Sequence, residues 1–308
     1  MEREMQKIVI IYRKTRLQEL VHQYNTLEQA KFYIEHMGAD FSDYIVEDQQ
    51  YQRVLKQIRD TAEHFARVQE IERQFAPNMI FGKRDIVIAV GQDGLVANVM
   101  KYLDGQPLLG VNPDTARWDG GLLPFEAGQL QEILPNVIRG KYREQQITMA
   151  EAVTKDGQHM LAVNDLFVGC RTHTSARYDI AWNGEQENQS SSGIIISTGL
   201  GATGWYQSVM AQAKRMTELF GCGKMVDRPL AWDDKRLTFV VREPYPSRTT
   251  QTGIVFGKIE AEDEFRIISK MPDNGVVFSD GIEEDAISFP AGMEIRIQIA
   301  DREGKLVV

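Results

Sequence analysis

The residues whose types and spacing best suit chemistry are Gly91-Gln92-Asp93-Gly94, which follow the mostly β-branched run 85–90. Glycines after a buried strand let the chain turn sharply and let a ligand approach the backbone. The helix that begins there offers free N–H groups and the positive end of its dipole, which suit phosphate. A carboxylate at that point, Asp93, would repel phosphate unless it takes a proton from a hydroxyl nucleophile or helps hold a magnesium ion. The same four residues also fit a plain strand-to-helix turn with an acid near the N-cap.

Two further segments carry polar groups at the ends of apolar runs. The first is 190–205, where the apolar run 194–196 enters a loop of glycines and hydroxyls before a helix. Backbone N–H groups at Gly201 and the hydroxyls of Ser197, Thr198 and Thr203 suit a phosphate or a ribose, and Trp205 can stack on a base or close a pocket. Gly199, Gly201 and Gly204 match G-x-G-x-x-G, but the surroundings are rich in strands, and the acid expected about 20 residues on is lacking, because Glu218 falls inside the next helix. The loop therefore reads as nucleotide-binding without being of the dinucleotide-fold type. The second is Asn164-Asp165, after the apolar run 161–163. It suits ribose hydroxyls or a ligand amide, and it is also a turn signal. Arg171, Arg177, Arg242 and Lys270 are candidate phosphate contacts.

These residues need elements to position them. The runs 8–12, 85–90 and 107–111 read as buried parallel strands. Between them, apolar spacing predicts helices over 26–37, with Thr26 as N-cap, over 51–75, stopped by Pro77, and over 95–103. This alternation predicts a doubly wound parallel α/β domain over 1–135. After Pro135, short strands take over at 237–242, 253–259, 265–270 and 275–278, with hairpin turns at Asn183-Gly184 and Asp273-Asn274-Gly275 and one helix over 205–220. The expectation is a C-terminal β-rich, sandwich-like domain over 136–291, with a tail, 292–308, that can return to the first domain.

Composition narrows the partners. The 308 residues carry a formal net charge of −9 and a pI of about 5.2. An acidic balance argues against nucleic acid as the partner. The apolar run 8–12 is too short for a signal core or a membrane span, which points to a cytoplasmic protein with no membrane partner. Cys170 and Cys222 and the five histidines show no metal-ligand spacing, so no protein-held metal centre is expected. The Walker pattern G-x-x-x-x-G-K is absent from the chain.

Taken in order, these pieces resemble the NAD kinase family. That family has a G-G-D-G loop after a strand, then an Asn-Glu pair, then D-G…S-T-P-T-G-S-T-A-Y. Here Gly91–Gly94 stands for the first, Asn164-Asp165 for the pair, Ser192-Gly193 for Asp-Gly and 197–205 for the long loop. Leu109-Gly110-Val111-Asn112, followed by Asp119-Gly120-Gly121-Leu122, resembles the family's G-V-N strand and its Gly-rich step, and Asp280-Gly281 resembles a further Asp-Gly. The resemblance runs from about 86 to the C-terminus, and its Ser-Ser-Gly…Trp variant is closer to the mitochondrial-type branch. It implies an ATP-dependent kinase that phosphorylates the 2′-hydroxyl of the adenosine ribose of NAD, with Mg2+ on the phosphates and NAD and ATP as substrates. Asp93 would be the general base. Gly91, Gln92 and Gly94 would form the phosphate turn, Asn164 and Asp165 would bind the ribose or base region, and Ser197, Thr198, Gly201, Thr203 and Trp205 would line the pocket. The family is usually homo-oligomeric, so a dimer or tetramer is implied. Gln92 stands for the second glycine, Leu95 for the usual Thr, Ser192 for the Asp and Gly199 for the proline. These departures keep two alternatives open: a kinase of the same superfamily acting on a lipid or sugar hydroxyl, and a non-catalytic nucleotide-binding protein.

Overall fold

The computed structural model describes residues 6–223 and 228–308. The chain divides into two compact units, one of Met1–Gln145 with Lys305–Val308 and one of Gln146–Gly304. The first unit runs about ten residues beyond 135, because a further helix packs there, and only the last residues of the 292–308 tail return to it.

In the first unit the order is β1 (Lys7–Tyr12), α1 (Arg16–Tyr24), α2 (Leu27–His36), α3 (Ser42–Glu63), β2 (Arg67–Glu72), β3 (Ile86–Val90), α4 (Asp93–Met100), β4 (Leu108–Val111) and α5 (Leu130–Ile138). β5 (Glu144–Ile147), at the unit boundary, completes its sheet, together with the last strand of the chain, β18 (Gly304–Val307). The sheet order is β2-β1-β3-β4-β18-β5. β1 pairs in parallel with both β2 and β3, β3 with β4, and β4 with β18. Ile8, Ile10, Ile86, Ile88 and Val90 pack against Tyr51, Val54, Leu55 and Ile58 of α3 and Leu130, Leu134 and Val137 of α5. Strand alternation sends Val9, Ile11, Val87 and Ala89 to the opposite face, where α4 meets β3 and β4. The sheet is thus doubly wound, and its order reverses between β1 and β3, the place where such sheets take their ligands.

The helix expected over 51–75 is corrected. α3 starts earlier, at Ser42, and ends at Glu63. Residues 67–72 form β2, whose full register against β1 supplies backbone partners that a longer helix would forgo. Arg67-Val68-Gln69-Glu70-Ile71-Glu72 carries polar residues on both faces, with Val68 and Ile71 three apart, so the pairing with β1 and not a period-2 pattern makes it an edge strand.

Tyr51 ties α3 to the switch point. Its hydroxyl donates to the Val90 carbonyl at 2.7 Å and accepts from the Arg13 amide at 3.1 Å, and burial pushes its phenol up to about 12. Tyr51→Phe leaves both backbone groups without that partner. A loss of about 1–3 kcal/mol is expected in denaturant unfolding, and a loss below about 0.5 kcal/mol would refute the tie.

The second unit contains β6 (Ala150–Thr154), β7 (His159–Ala162), β8 (Asp165–Cys170), β9 (Ala176–Trp182), β10 (Glu185–Ser191), β11 (Ile194–Ser197), α6 (Trp205–Leu219), β12 (Leu237–Val241), β13 (Phe256–Ile259), β14 (Phe265–Ser269), β15 (Gly275–Ser279), β16 (Ile282–Ser288) and β17 (Glu294–Ile299). One sheet has the order β10-β9-β14-β17-β6-β7 and the other β13-β12-β11-β8-β15-β16. They form a sandwich around Tyr178, Ile180, Phe265, Ile267 and Ile297 from one and Val168, Ile196, Phe239 and Val277 from the other. On the outer face of the second sheet, Phe167, Ile195 and Val240 carry Trp205, Tyr206 and Val209 of α6.

Asn183-Gly184 is the hairpin turn between β9 and β10. Asp273-Asn274-Gly275 is not a hairpin: it leads from β14 of one sheet into β15 of the other, which begins at Gly275, and the two strands are paired with different partners. The strand expected over 253–259 is shorter, because only Phe256–Ile259 pairs with β12.

Candidate functional site

In the first unit the chemistry collects at the β1/β3 switch point. β3 ends at Val90, Gly91 turns, and Asp93 opens α4 with its side chain exposed. Gly91, Gln92 and Gly94 therefore sit at the carboxyl edge of a parallel sheet, at a helix N-terminus. The Asp93 carboxylate accepts from the Leu122 amide at 2.8 Å and from the Gly121 amide at 3.2 Å. This loop follows β4. Buried Asn112 fixes its start, donating to the Trp118 carbonyl at 2.9 Å and accepting from the Asp114 amide at 3.0 Å.

A charged network holds the same loop from outside. Arg117 forks onto Asp43 at 2.7 and 3.1 Å and reaches Asp114 at 3.4 Å. Arg16 pairs with Asp43 and buried Glu47. The hydrogen bond from Arg117, then that from Arg16, holds the Asp43 carboxyl well below the usual carboxylate range. The Arg13 guanidinium lies 5.5 Å from the Trp118 ring centre and 3.6 Å from Glu47. A Cβ on Gly91 would come 3.7 Å from the Arg13 side chain. Arg13, Arg117 and Trp118 were not foreseen as part of this site. Their only sequence signal was position, since residue 13 follows β1 and 117–118 follow β4, and a switch-point order cannot be known before the pairing is.

In the second unit, strand register brings three separated segments to one end of a sheet. Ser197 pairs with Asp165, and Ser279 pairs with Leu166. Asp280 follows directly. Its carboxylate accepts from the amides of Val163 at 3.1 Å, Asn164 at 2.7 Å and Asp165 at 3.3 Å. It does so from a turn with Asp280 at φ 53° and Gly281 at φ 71°. Asp165 is buried at 7% exposure. That burial, and secondarily the charge of Asp280, pushes its carboxyl up to about 7.

The hydroxyls of the loop divide between two tasks. Thr198 donates to the Val163 carbonyl at 2.6 Å and accepts from the Gly201 amide at 3.1 Å. Ser197 donates to the Thr198 carbonyl at 3.1 Å. Both are buried, so they frame the loop, while Thr203 is exposed. A Cβ on Gly201 would collide with the Asn164 carbonyl oxygen and sit 2.7 Å from Ser197 Oγ, so the loop and the Asn164-Asp165 segment are in backbone contact. Trp205 stacks on Phe167 at 5.3 Å, and Arg242 lies 5.0 Å from its ring centre. Lys270 is engaged by Asp179. Beside the loop opens a cavity of about 330 Å³, lined by Thr198, Tyr206, Met210, Thr238 and Lys258. The described residues include no group of three or more His, Cys, Asp or Glu arranged to hold a metal ion, and no helix among them is long and apolar enough to cross a membrane.

No family model matches the chain. It is 27% identical over 137 residues to an NAD kinase of Burkholderia thailandensis, a match covering 42% of this chain and 45% of that protein. It is 26% identical over 124 residues to the NAD kinase of Saccharolobus solfataricus, covering 40% and 47%. The matches thus span less than half the length of these curated relatives. In fold, the chain is similar to an NAD kinase from Archaeoglobus fulgidus in complex with ATP, with 14% identity, TM-score 0.54 and 98% and 93% of the two chains covered. It is also similar to a yeast NADH kinase complexed with NADH, with 16% identity, TM-score 0.57 and 99% and 84% covered.

Proposed function

We propose, from its similarity to NAD kinases in sequence and in fold, that this chain transfers the γ-phosphoryl group of ATP to the 2′-hydroxyl of the adenosine ribose of NAD. Asp93 takes the hydroxyl proton as the oxygen attacks phosphorus. The bond from phosphorus to the β,γ-bridging oxygen breaks, and ADP and NADP leave. The observation that carries this reading is an exposed carboxylate at a sheet switch point, beside the free amides of a helix N-terminus and aimed by two backbone donors. Mg2+ would neutralise charge on the transferring phosphates. The Asp93 side chain, exposed at the helix N-terminus, would face such a metal, which would keep phosphate and water for its other ligands.

Asn164, Asp165 and exposed Thr203 are assigned to the dinucleotide, with Gly201 and Trp205 as walls of its pocket. A homo-oligomer and a cytoplasmic setting belong to the same reading; light scattering on the purified protein and cell fractionation test them. The function is tested by incubating the protein with NAD, ATP and magnesium and measuring NADP. Nucleotide binding in a thermal shift with no NADP formed would sink the kinase reading.

Asp165 gives the reaction a pH signature. With its carboxyl raised to about 7 from an ordinary 3.8, the folded protein holds a proton that the unfolded chain releases, so this group's contribution to stability falls as pH rises from about 4 to about 7. Around pH 7 the group also turns from a partial donor into a pure acceptor for ribose hydroxyls. The KM for NAD is expected to fall between pH 6 and pH 8, and Asp165→Asn should flatten that dependence. An equal slope in both proteins would remove Asp165 from the binding site.

A further inference from the structure

Both oxygens of the Asp93 carboxylate are held by consecutive amides of one loop, Gly121 and Leu122. We infer that this loop aims Asp93, and that Gly110 is the positioning residue on which the aim depends. The inference rests on reading Asp93 as the general base.

Gly110 lies in β4, paired with Ala89 of β3. A Cβ there would fall inside the Leu122 carbonyl oxygen, 3.0 Å from the Leu122 carbonyl carbon and 3.1 Å from Leu123 Cα. The loop therefore lies directly on strand backbone, where any other residue would hold it off. The residue whose carbonyl rests on Gly110 is the one whose amide holds Asp93 at 2.8 Å. The loop has little room to adjust. Its far end is fixed by the Phe125 amide on the Gly110 carbonyl at 3.3 Å and the Asn112 amide on the Phe125 carbonyl at 2.8 Å. Its near end is fixed by the Asn112 side chain. Gly120 sits at φ +65°, with Asn112 Nδ2 2.8 Å from where its Cβ would be. An exposed carboxylate at the start of a helix has no packing to set its rotamer, so these two amides set it. Catalytic groups lose rate steeply when displaced by about an ångström.

Gly110→Ala is expected to lower kcat about 10- to 100-fold, with KM for NAD and for ATP changed by less than about twofold. In an Asp93→Ala background the same substitution should cost less than about twofold, because the group it aims is gone. A full second loss on top of Asp93→Ala, or a loss carried by KM, overturns the inference. Should Gly110→Ala fail to fold, amide exchange decides. Asp93→Ala should speed exchange at Gly121 and Leu122 by about tenfold or more while leaving Phe125 unchanged, and unchanged exchange at both amides overturns it. The exchange measurement needs no turnover. A protein that forms no NADP but shows this coupling keeps the clamp and loses only the kinase reading.

Discussion

Asp93→Asn is expected to lower the rate of NADP formation by about 100- to 10,000-fold, the range for removing a general base. The loss should fall on kcat, because Asn keeps the shape and one acceptor oxygen but cannot take the hydroxyl proton. Stability should barely change. Asp93 is exposed, and Asn can still accept from Leu122 or Gly121. The pairing of a large kinetic effect with a small shift in melting temperature separates chemistry from folding. A variant that retains more than about a tenth of the wild-type rate would show that another group, or solvent, takes the proton.

Asp280→Ala should have the largest effect on stability of the changes discussed, about 3–5 kcal/mol in chemical unfolding. One carboxylate answers the amides of Val163, Asn164 and Asp165, and Val163 and Asp165 are buried. Hydrogen bonds to a charged acceptor are about twice as strong as neutral ones, and their loss leaves donors that water only partly reaches. Asp280→Asn, which keeps one acceptor oxygen, should lose about half as much. A second readout distinguishes this from general damage. Removing the Asp280 charge should lower the Asp165 carboxyl, yet leave it above the ordinary 3.8, because burial is the larger cause of its rise. A fall to the ordinary value would mean that the charge of Asp280 dominates, and a loss under about 1 kcal/mol would mean that the three amides find other partners.

Much of the fold was legible because its signals are local. The buried runs around Ile8, Ile86 and Leu108 and the helix after Asp93 follow from residue type and period. Residues 67–72 were not, because a strand at a sheet edge with charged faces is decided by the partner β1, which no window of sequence contains. Asp273-Asn274-Gly275 has the composition of a hairpin turn, and only the pairing of its flanking strands shows that it carries the chain from one sheet to the other. The candidate site divides the same way. The turn at Asp93 and the loop at 197–205 announce themselves by glycine and hydroxyl content. That Gly121 and Leu122 grip Asp93, that Asp280 gathers three amides beside Asp165, and that Arg13 lies along Gly91 are matters of register between segments up to 117 residues apart. Composition does not encode register.

The slot between β4 and β5 has a consequence in time. β18 fills it, yet Gly304–Val307 is made only after the whole stretch from Gln146 onward has emerged. At about 5–20 residues per second, those roughly 160 residues take on the order of 10–30 s on the ribosome. Through that interval β4 lacks its partner at Leu108, where Leu306 of β18 will pair, although Phe125 already covers the edge at Val111, and an unpaired strand edge is what nascent chains misuse for pairing with one another. A chaperone, or early folding of the sandwich that shortens the wait for β18, is what would protect it. Synthesis in a cell extract without chaperones should therefore yield aggregates that nucleate at the Leu108 end of β4.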